Sequence, residues 1–446
     1  MPRTNSRNER WATIFQQERI DDALQKRGWY LIQAGTIRQK YGWEPRLLAK
    51  IDDHESLPAV FRDQDAVILS LANGRYVIVR VGEHGKPFFP DLSPIWERPR
   101  HVPLGDLPER YHTFRWDEAF TGESEAIDAA FASRILHDFV GEEDLTLTIR
   151  GRRRFSLKQR LPLRLRINQA LKEFPLEFGS PQMEVDAGYE APHGLYLIES
   201  KLHLTGNFNP RQVFFPYIYW QRQLQAKGSR KRVHPIYLLY TNHFYYLYEL
   251  EIEDEAINAM RVIRQQWYIL GEPPWTLHWL DELLAKTQLV PQPEVPFPQA
   301  DLLPRIYDLL EALQRMGTMT IPQVAERQHF TERQAYYYAS AAKWLGWAEI
   351  EKSQVTLTQA GRKLAKTPPY SRLEKTLQVL SRRPVFRPAL RFWYEQRKLP
   401  SQAQIGKWIE EASARGEIKE LSGNTIHRRA QTARHWLQML APLVKS

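Results

Sequence analysis

The apolar positions change their period along the chain. Up to residue 286 they come in runs of strand length, and beyond residue 304 they recur every three or four positions, as on helices. Residues 66–71 and 76–81 flank Ala72-Asn73-Gly74-Arg75, whose Asn-Gly pair predicts a tight hairpin. Residues 195–202, 233–240 and 244–250 predict three more strands. Between the first two, Asn209 suits a helix N-cap and Pro210 its first turn, in a helix running towards Ala226. Further on, residues 302–316 and 321–327 predict two helices. Thr331 and Gln334 then form a capping box that opens a third. That helix carries Ala335, Tyr338, Ala339, Ala342 and Leu345 on one stripe, with Tyr336, Tyr337, Ser340 and Lys343 off it. Two short strands, 348–352 and 354–358, follow. Three helices and a hairpin is the order of a winged helix-turn-helix, a unit that binds DNA in most cases and protein in a minority. Residues 402–412 and 424–440 complete the pattern. The last helix sets Ile426, Ala430, Ala433, Leu437 and Leu440 against His427, Arg428, Arg429, Arg434 and His435.

Pro291, Pro293, Pro296, Pro298 and Pro304 predict an extended linker over residues 287–304. The expected fold class is a multidomain α/β (α+β) chain. An α/β domain over 1–125, for DNA recognition or dimerisation, precedes a strand-rich unit over 126–286. The linker leads to the winged unit over 305–368 and a basic helical region over 369–446. At 446 residues, the chain is too long for one ordinary core. Charge divides along the same line. Of 62 Lys+Arg and 52 Asp+Glu, residues 301–446 hold 24 and 13, leaving 38 and 39 in the body. A basic C-terminal part on a neutral body points to a polyanion partner, with a solubilising charge as the plain alternative. One strip of the body departs from neutrality: Arg150, Arg152, Arg153, Arg154, Lys158, Arg160, Arg164 and Arg166, with no acid among them. The chain has no cysteine, which excludes disulfides, thiol catalysis and thiolate zinc sites. No apolar run approaches 18 residues and the N-terminus is polar, so a cytoplasmic protein without membrane contact is expected.

The sharpest chemical signal is Gln182-Met-Glu-Val-Asp-Ala-Gly-Tyr-Glu190, a turn at Ala191-Pro-His-Gly194, and Leu195-Tyr-Leu-Ile-Glu199-Ser-Lys201. On a strand Glu199 and Lys201 share a face, and antiparallel pairing brings Asp186 to Glu199. Two carboxylates offer a hard oxygen site suited to Mg²⁺, and an adjacent ammonium can orient or help deprotonate a water. A solvated Glu-x-Lys is commonplace, but this one interrupts an apolar run, where unpaired charges are costly.

These residues resemble the PD-(D/E)XK nuclease superfamily and, more narrowly, a group of prokaryotic type II restriction endonucleases. The resemblance rests on Glu184-Val-Asp186-Ala-Gly188-Tyr189-Glu190, Glu199-Ser200-Lys201 and Arg211-Gln212-Val-Phe-Phe-Pro216-Tyr217. Glu44-Pro-Arg-Leu-Leu-Ala-Lys50, the hairpin through Gly74 and Thr425-Ile-His-Arg-Arg429 also fit. Val185 stands where the pattern often has proline, and Ser200 where alanine is usual. The resemblance implies a restriction-endonuclease-like core with a mixed sheet over 126–286. It implies Mg²⁺ ligation by Asp186 and Glu199, with Lys201 as base or electrostatic anchor. Gln212 is a further catalytic candidate, although a capping box with Asn209 would also want it there. Glu184 shares a face with Asp186, and Glu173 is expected on a helix preceding the sheet; buttressing or exposure suits both. Arg152, Arg153 and Arg154 are expected to follow a strand at 145–149 and meet phosphates, as are Tyr336, Tyr337, Lys343, Arg428 and Arg429 beyond the linker. His193, His203 and His243 lack metal-ligand spacing and are expected to be structural or solvent-facing. The implied activity is site-specific cleavage of double-stranded DNA by a homodimer, leaving 5′-phosphates. A cognate DNA methyltransferase would be its functional partner, not a bound subunit. The alternatives are a non-catalytic winged-helix DNA-binding regulator and a structure-specific repair nuclease.

Overall fold

The computed structural model describes residues 7–154, 160–179, 182–271, 275–290, 293, 295, 297–328, 330–421 and 423–445. The fold is mixed α/β. Strands β1 (Trp29–Gln33), β2 (Ala66–Ala72) and β3 (Arg75–Arg80) form an N-terminal antiparallel sheet in the order β1-β3-β2. Its β2–β3 hairpin turns at Asn73-Gly74 as expected, with Gly74 at φ 75°.

A seven-stranded mixed sheet forms the centre. It is built from β4 (Arg100–Val102), β5 (Thr146–Arg154), β8 (Gln182–Glu190), β9 (Gly194–Lys201), β10 (Arg232–Thr241), β11 (Phe244–Ile252) and β12 (Met260–Leu270). Its order is β4-β12-β11-β10-β9-β8-β5. β9 and β10 run parallel, so the chain must cross over between them. It does so through helix α2 (Arg211–Ala226), which follows α1 (Glu123–Ala132) in the chain. Asn209 Oδ1 caps α2 by accepting from the Arg211 N–H at 3.1 Å, as its position predicted. β6 (Leu161–Ile167) and β7 (Ala170–Phe178) form a separate hairpin whose apolar side joins the N-terminal core, together with Phe214, Phe215 and Ile218 of α2.

Beyond the sheet lie β13 (Trp275–Thr276) and then helices α3 (Leu303–Met316), α4 (Ile321–Gln328) and α5 (Glu332–Trp344). A small sheet of β14 (Met319–Thr320), β16 (Gln354–Leu357) and β15 (Ala348–Glu351) accompanies them. The capping box at Thr331 and Gln334 is formed, and the Ala335 to Leu345 stripe is buried. Helices α6 (Pro369–Leu380), α7 (Phe386–Gln396), α8 (Gln402–Ala414) and α9 (Gly423–Leu440) follow, and β17 (Val444–Lys445) returns to pair with β13.

Four expectations change. A boundary at residue 125 would cut α1, and β4 already belongs to the central sheet. Glu173 sits on β7, not on a helix, where it accepts from Arg164 at 2.8 Å. The strand expected at 145–149 continues to Arg154, so the three arginines lie on β5 rather than after it. The fourth concerns the proline-rich segment, whose described residues are docked against the body and the C-terminal helices. Thr287 is buried and its carbonyl accepts from Arg387 at 2.6 Å. Phe297 lies parallel to Phe386, with centroids 5.8 Å apart, and the Ala300 carbonyl accepts from Trp436 Nε1 at 2.7 Å. Pro291 and Pro296 fall outside the described residues.

This docking follows from the sheet. Both faces of β10–β12 are apolar: Leu238, Leu247 and Tyr268 pack with α1 and its neighbours, while Leu239, Tyr246 and Trp267 share a core with the C-terminal helices. A polar clamp fixes the same junction. The β10–β11 turn, Asn242-His243, has positive φ at both residues, as a tight two-residue hairpin requires. Asn242 Oδ1 accepts from the buried Arg372 at 2.5 Å, and Arg372 also pairs with Glu311. If the segment is docked, Phe297→Ala should cost about 3–5 kcal/mol, the usual loss for a buried aromatic. Urea unfolding measures this, and a change within about 0.5 kcal/mol would indicate a free linker.

Candidate active site

The β8–β9 ladder carries the site because it stops early. The last pairs are Gly188↔Leu197 and Ala187↔Ile198, and continuing the register would set Asp186 opposite Glu199. There Asp186 uses its own carboxylate: Oδ2 accepts from the Ser200 N–H at 2.8 Å. The strands part at that point and leave room between their side chains. Gly188 is needed just before it, since an added Cβ would lie 2.9 Å from Ile149.

Into this opening project Glu199, Lys201 and Gln212. Lys201 Nζ donates to Glu199 Oε1 at 2.6 Å and to the Ser200 carbonyl at 2.7 Å. Gln212 Nε2 donates to the same Glu199 oxygen at 2.8 Å. The capping alternative for Gln212 is thereby set aside for its side chain, although Asn209 does cap the helix that presents it. Asp186, Glu199, Lys201 and Gln212 are thus brought together, as the sequence suggested.

A fourth charged group joins them. Glu123, the first residue of α1, lies 3.5 Å from Lys201 Nζ. The sequence held only a weak signal for it, an acidic helix start, with nothing to tie that start to a strand far downstream. Three carboxylates therefore surround one ammonium. Burial pushes the Glu199 carboxyl up to about 7, with Asp186 and Glu123 adding to the rise and Lys201 opposing it. Glu123 is raised for the same reasons, burial first. Burial alone would lower Lys201, but Glu199, Tyr237, Glu123 and Asp186 hold it well above its ordinary value. Burial therefore leads the rise of the two carboxyls, and the negative groups around it lead the rise of Lys201.

Among the described residues no three His, Asp or Glu side chains converge into a ready-made metal cage. Mg²⁺ does not require one, because it usually keeps several waters and takes one or two carboxylates. Asp186 and Glu199 are the pair that the sequence reading named for it. Glu184 is exposed and pairs with Arg152, 3.1 Å off.

The basic strip is largely neutralised within the fold. Arg150 pairs with Asp128, Arg152 with Glu184, Arg160 with Glu177 and Arg166 with Glu253. Arg153 lies over the Trp220 ring at 5.3 Å. Arg154 ends β5, and Lys158 falls outside the described residues. His243 is buried and bonds the Glu118 carbonyl at 2.8 Å, a structural role; His193 is exposed.

Beyond the docked segment, two separately noted groups meet. Tyr337 on α5 neighbours Arg429 on α9, whose guanidinium burial pushes down to about 10. Tyr336 is 49% exposed, and Arg428 is exposed beside this pair. Lys343 is less available, since Glu349 lies 3.3 Å from it.

Three family models match the chain, each a domain of unknown function. DUF6996 covers residues 8–78, DUF6997 residues 97–269 and DUF7226 residues 305–445. No curated protein and no solved structure matches the chain. The middle match holds Glu123, Asp186, Glu199, Lys201 and Gln212 together, and its limits follow the central sheet from just before β4 to the end of β12. Millimolar Mg²⁺ or Ca²⁺ should raise Tm by relieving the carboxylate repulsion, and Asp186→Asn should abolish the rise. Differential scanning calorimetry with and without chelator checks this.

Proposed function

We propose that the chain is a Mg²⁺-dependent, site-specific endonuclease of double-stranded DNA, of the type II restriction kind. The observation that carries this reading is the meeting of Asp186, Glu199, Lys201 and Gln212 where β8 and β9 part, in a site with surplus negative charge. On this reading the central sheet is a PD-(D/E)XK core, and α3–α5 with the small sheet are a winged helix-turn-helix. The basic face of α5 and α9 then grips the duplex.

Mg²⁺ held by Asp186 and Glu199 would supply charge neutralisation at the scissile phosphate and a more acidic water. The chain's own groups do the rest. Lys201, kept protonated by the carboxylates around it, serves as an electrostatic anchor for the attacking water or a phosphate oxygen. Gln212 holds the Glu199 carboxylate in its orientation and so acts as a positioning residue. Glu123 keeps Lys201 charged and directed into the opening. Cutting both strands calls for two such sites, so a homodimer on a two-fold symmetric target follows. A DNA methyltransferase protecting that target in the host would be its functional counterpart.

Incubation of the pure protein with phage and plasmid DNAs, methylated and unmethylated, tests the reading. Discrete fragments should form with Mg²⁺, vanish with chelator, and slow by at least about 100-fold in Lys201→Ala. Binding without cleavage on every DNA would make the chain a regulator, and cuts mapped to junctions or ends would make it a repair nuclease. Arg428→Ala and Arg429→Ala should weaken DNA binding evenly across sequences. Each should also flatten the salt dependence by about one counterion per lost phosphate contact. Fluorescence anisotropy over a salt series measures both effects, and a changed sequence preference would make these residues base readers instead.

A further inference from the structure

A cavity of about 510 Å³ lies between the central sheet and the C-terminal helices. Its floor continues the row that carries the candidate catalytic lysine. Lys201 on β9 pairs with Leu239 on β10, Leu239 with Tyr246 on β11, and Tyr246 with Trp267 on β12. Neighbouring strands stand about 4.8 Å apart, so the Tyr246 position is roughly 10 Å from that of Lys201 along one face. The loop just after Lys201 also lines the cavity, through Leu204, Thr205 and Gly206.

The walls define what can enter. Tyr246 and Trp267 stack with an interplanar angle of 2°, and Trp96 stacks on His435 with centroids 4.2 Å apart. Amides of Gln431 and Gln438 supply polar points, the Gln334 oxygen being held in its capping box, and Gln438 Oε1 is buried without a hydrogen-bond partner. A phosphate is disfavoured, because Glu55 and Asp301 line the space. Among the described lining residues the one guanidinium, Arg305, is engaged by the Leu204 carbonyl and the Phe330 ring. The volume lies within the usual range for small-ligand pockets and well above the ~150 Å³ that holds one benzene ring.

We infer that this cavity binds a planar, uncharged nitrogen heterocycle of the nucleobase type. The aromatic rings offer stacking, and the amides offer the paired donor and acceptor that a base edge requires. Two sources share that chemistry: a base swung out of bound DNA, or a free nucleoside. The first rests on the nuclease reading, and the second does not.

Adenosine, guanosine, cytidine and thymidine are titrated into the full-length chain by calorimetry. At least one should bind saturably at millimolar concentration or below. Gln438→Leu should weaken it about fivefold to tenfold, the loss expected for one buried hydrogen bond. Gly206→Trp should abolish it by placing an indole at the cavity lining, where an added Cβ meets no atom within 4 Å. No binding by any nucleoside, or binding indifferent to both variants, overturns the inference. A duplex carrying 2-aminopurine in the cleaved sequence then separates the sources. A fluorescence rise lost in Gln438→Leu assigns an extruded base, and a dark duplex with nucleosides still bound assigns a free one. Lys201→Ala keeps the two proposals apart, since it should stop cleavage and leave nucleoside binding intact.

Discussion

A sheet that is apolar on both faces must be covered on both. In this chain Leu238, Leu247 and Tyr268 face one layer, and Leu239, Tyr246 and Trp267 face the other. Water cannot satisfy either side, so the hydrophobic effect draws a helix layer onto each. The first layer comes from the segment before β5. The second comes from beyond the proline-rich stretch, and this is why that stretch lies against the body. Among its described residues, Thr287, Phe297 and Ala300 fasten it to the C-terminal helices.

The same sheet explains where charge can be tolerated. Its interior strands are closed by neighbours along most of their length, and charge sits where it is paired, as at Glu249 with His234 and Arg264, or where β8 leaves β9 and makes room for it. Asp186 then takes a backbone donor that the ladder has released, which satisfies that N–H and fixes the carboxylate in one step. Glu199 gains two donors, and Lys201 gains two carboxylates. Position in the sheet and chemistry of the site are therefore one arrangement.

Most elements were legible because their signals are local. The Asn73-Gly74 turn, the cap at Asn209 and the capping box at Thr331 each depend on a few adjacent residues, and the structure places all three as read. The approach of Asp186 to Glu199 was legible too, because a hairpin joins them through a short turn, although the ladder itself ends one pair earlier. What escaped was set by distant partners. Glu173 lies on a strand because it pairs across a hairpin with Arg164, and the arginines of β5 extend their strand because β8 runs beside them. The strip's charge was read as free, yet its partners Asp128, Glu184, Glu177 and Glu253 come from elsewhere in the chain. Glu123 escaped for the same reason, as only the folded path of α1 takes it to Lys201.

The clamp at Asn242 has a consequence for how such a chain can vary. The turn between β10 and β11 is gripped by Arg372, and Thr241 by Asp308, so the C-terminal helices are keyed to the body by polar groups as well as covered by it. A different C-terminal region could not be spliced on at the prolines alone. It would have to bring along the matching lock: the arginine, the acids beside it and an apolar surface shaped to Tyr246 and Trp267. Inheritance of the two halves is therefore expected to be joint, with variation confined to outward side chains such as those of α5 and α9.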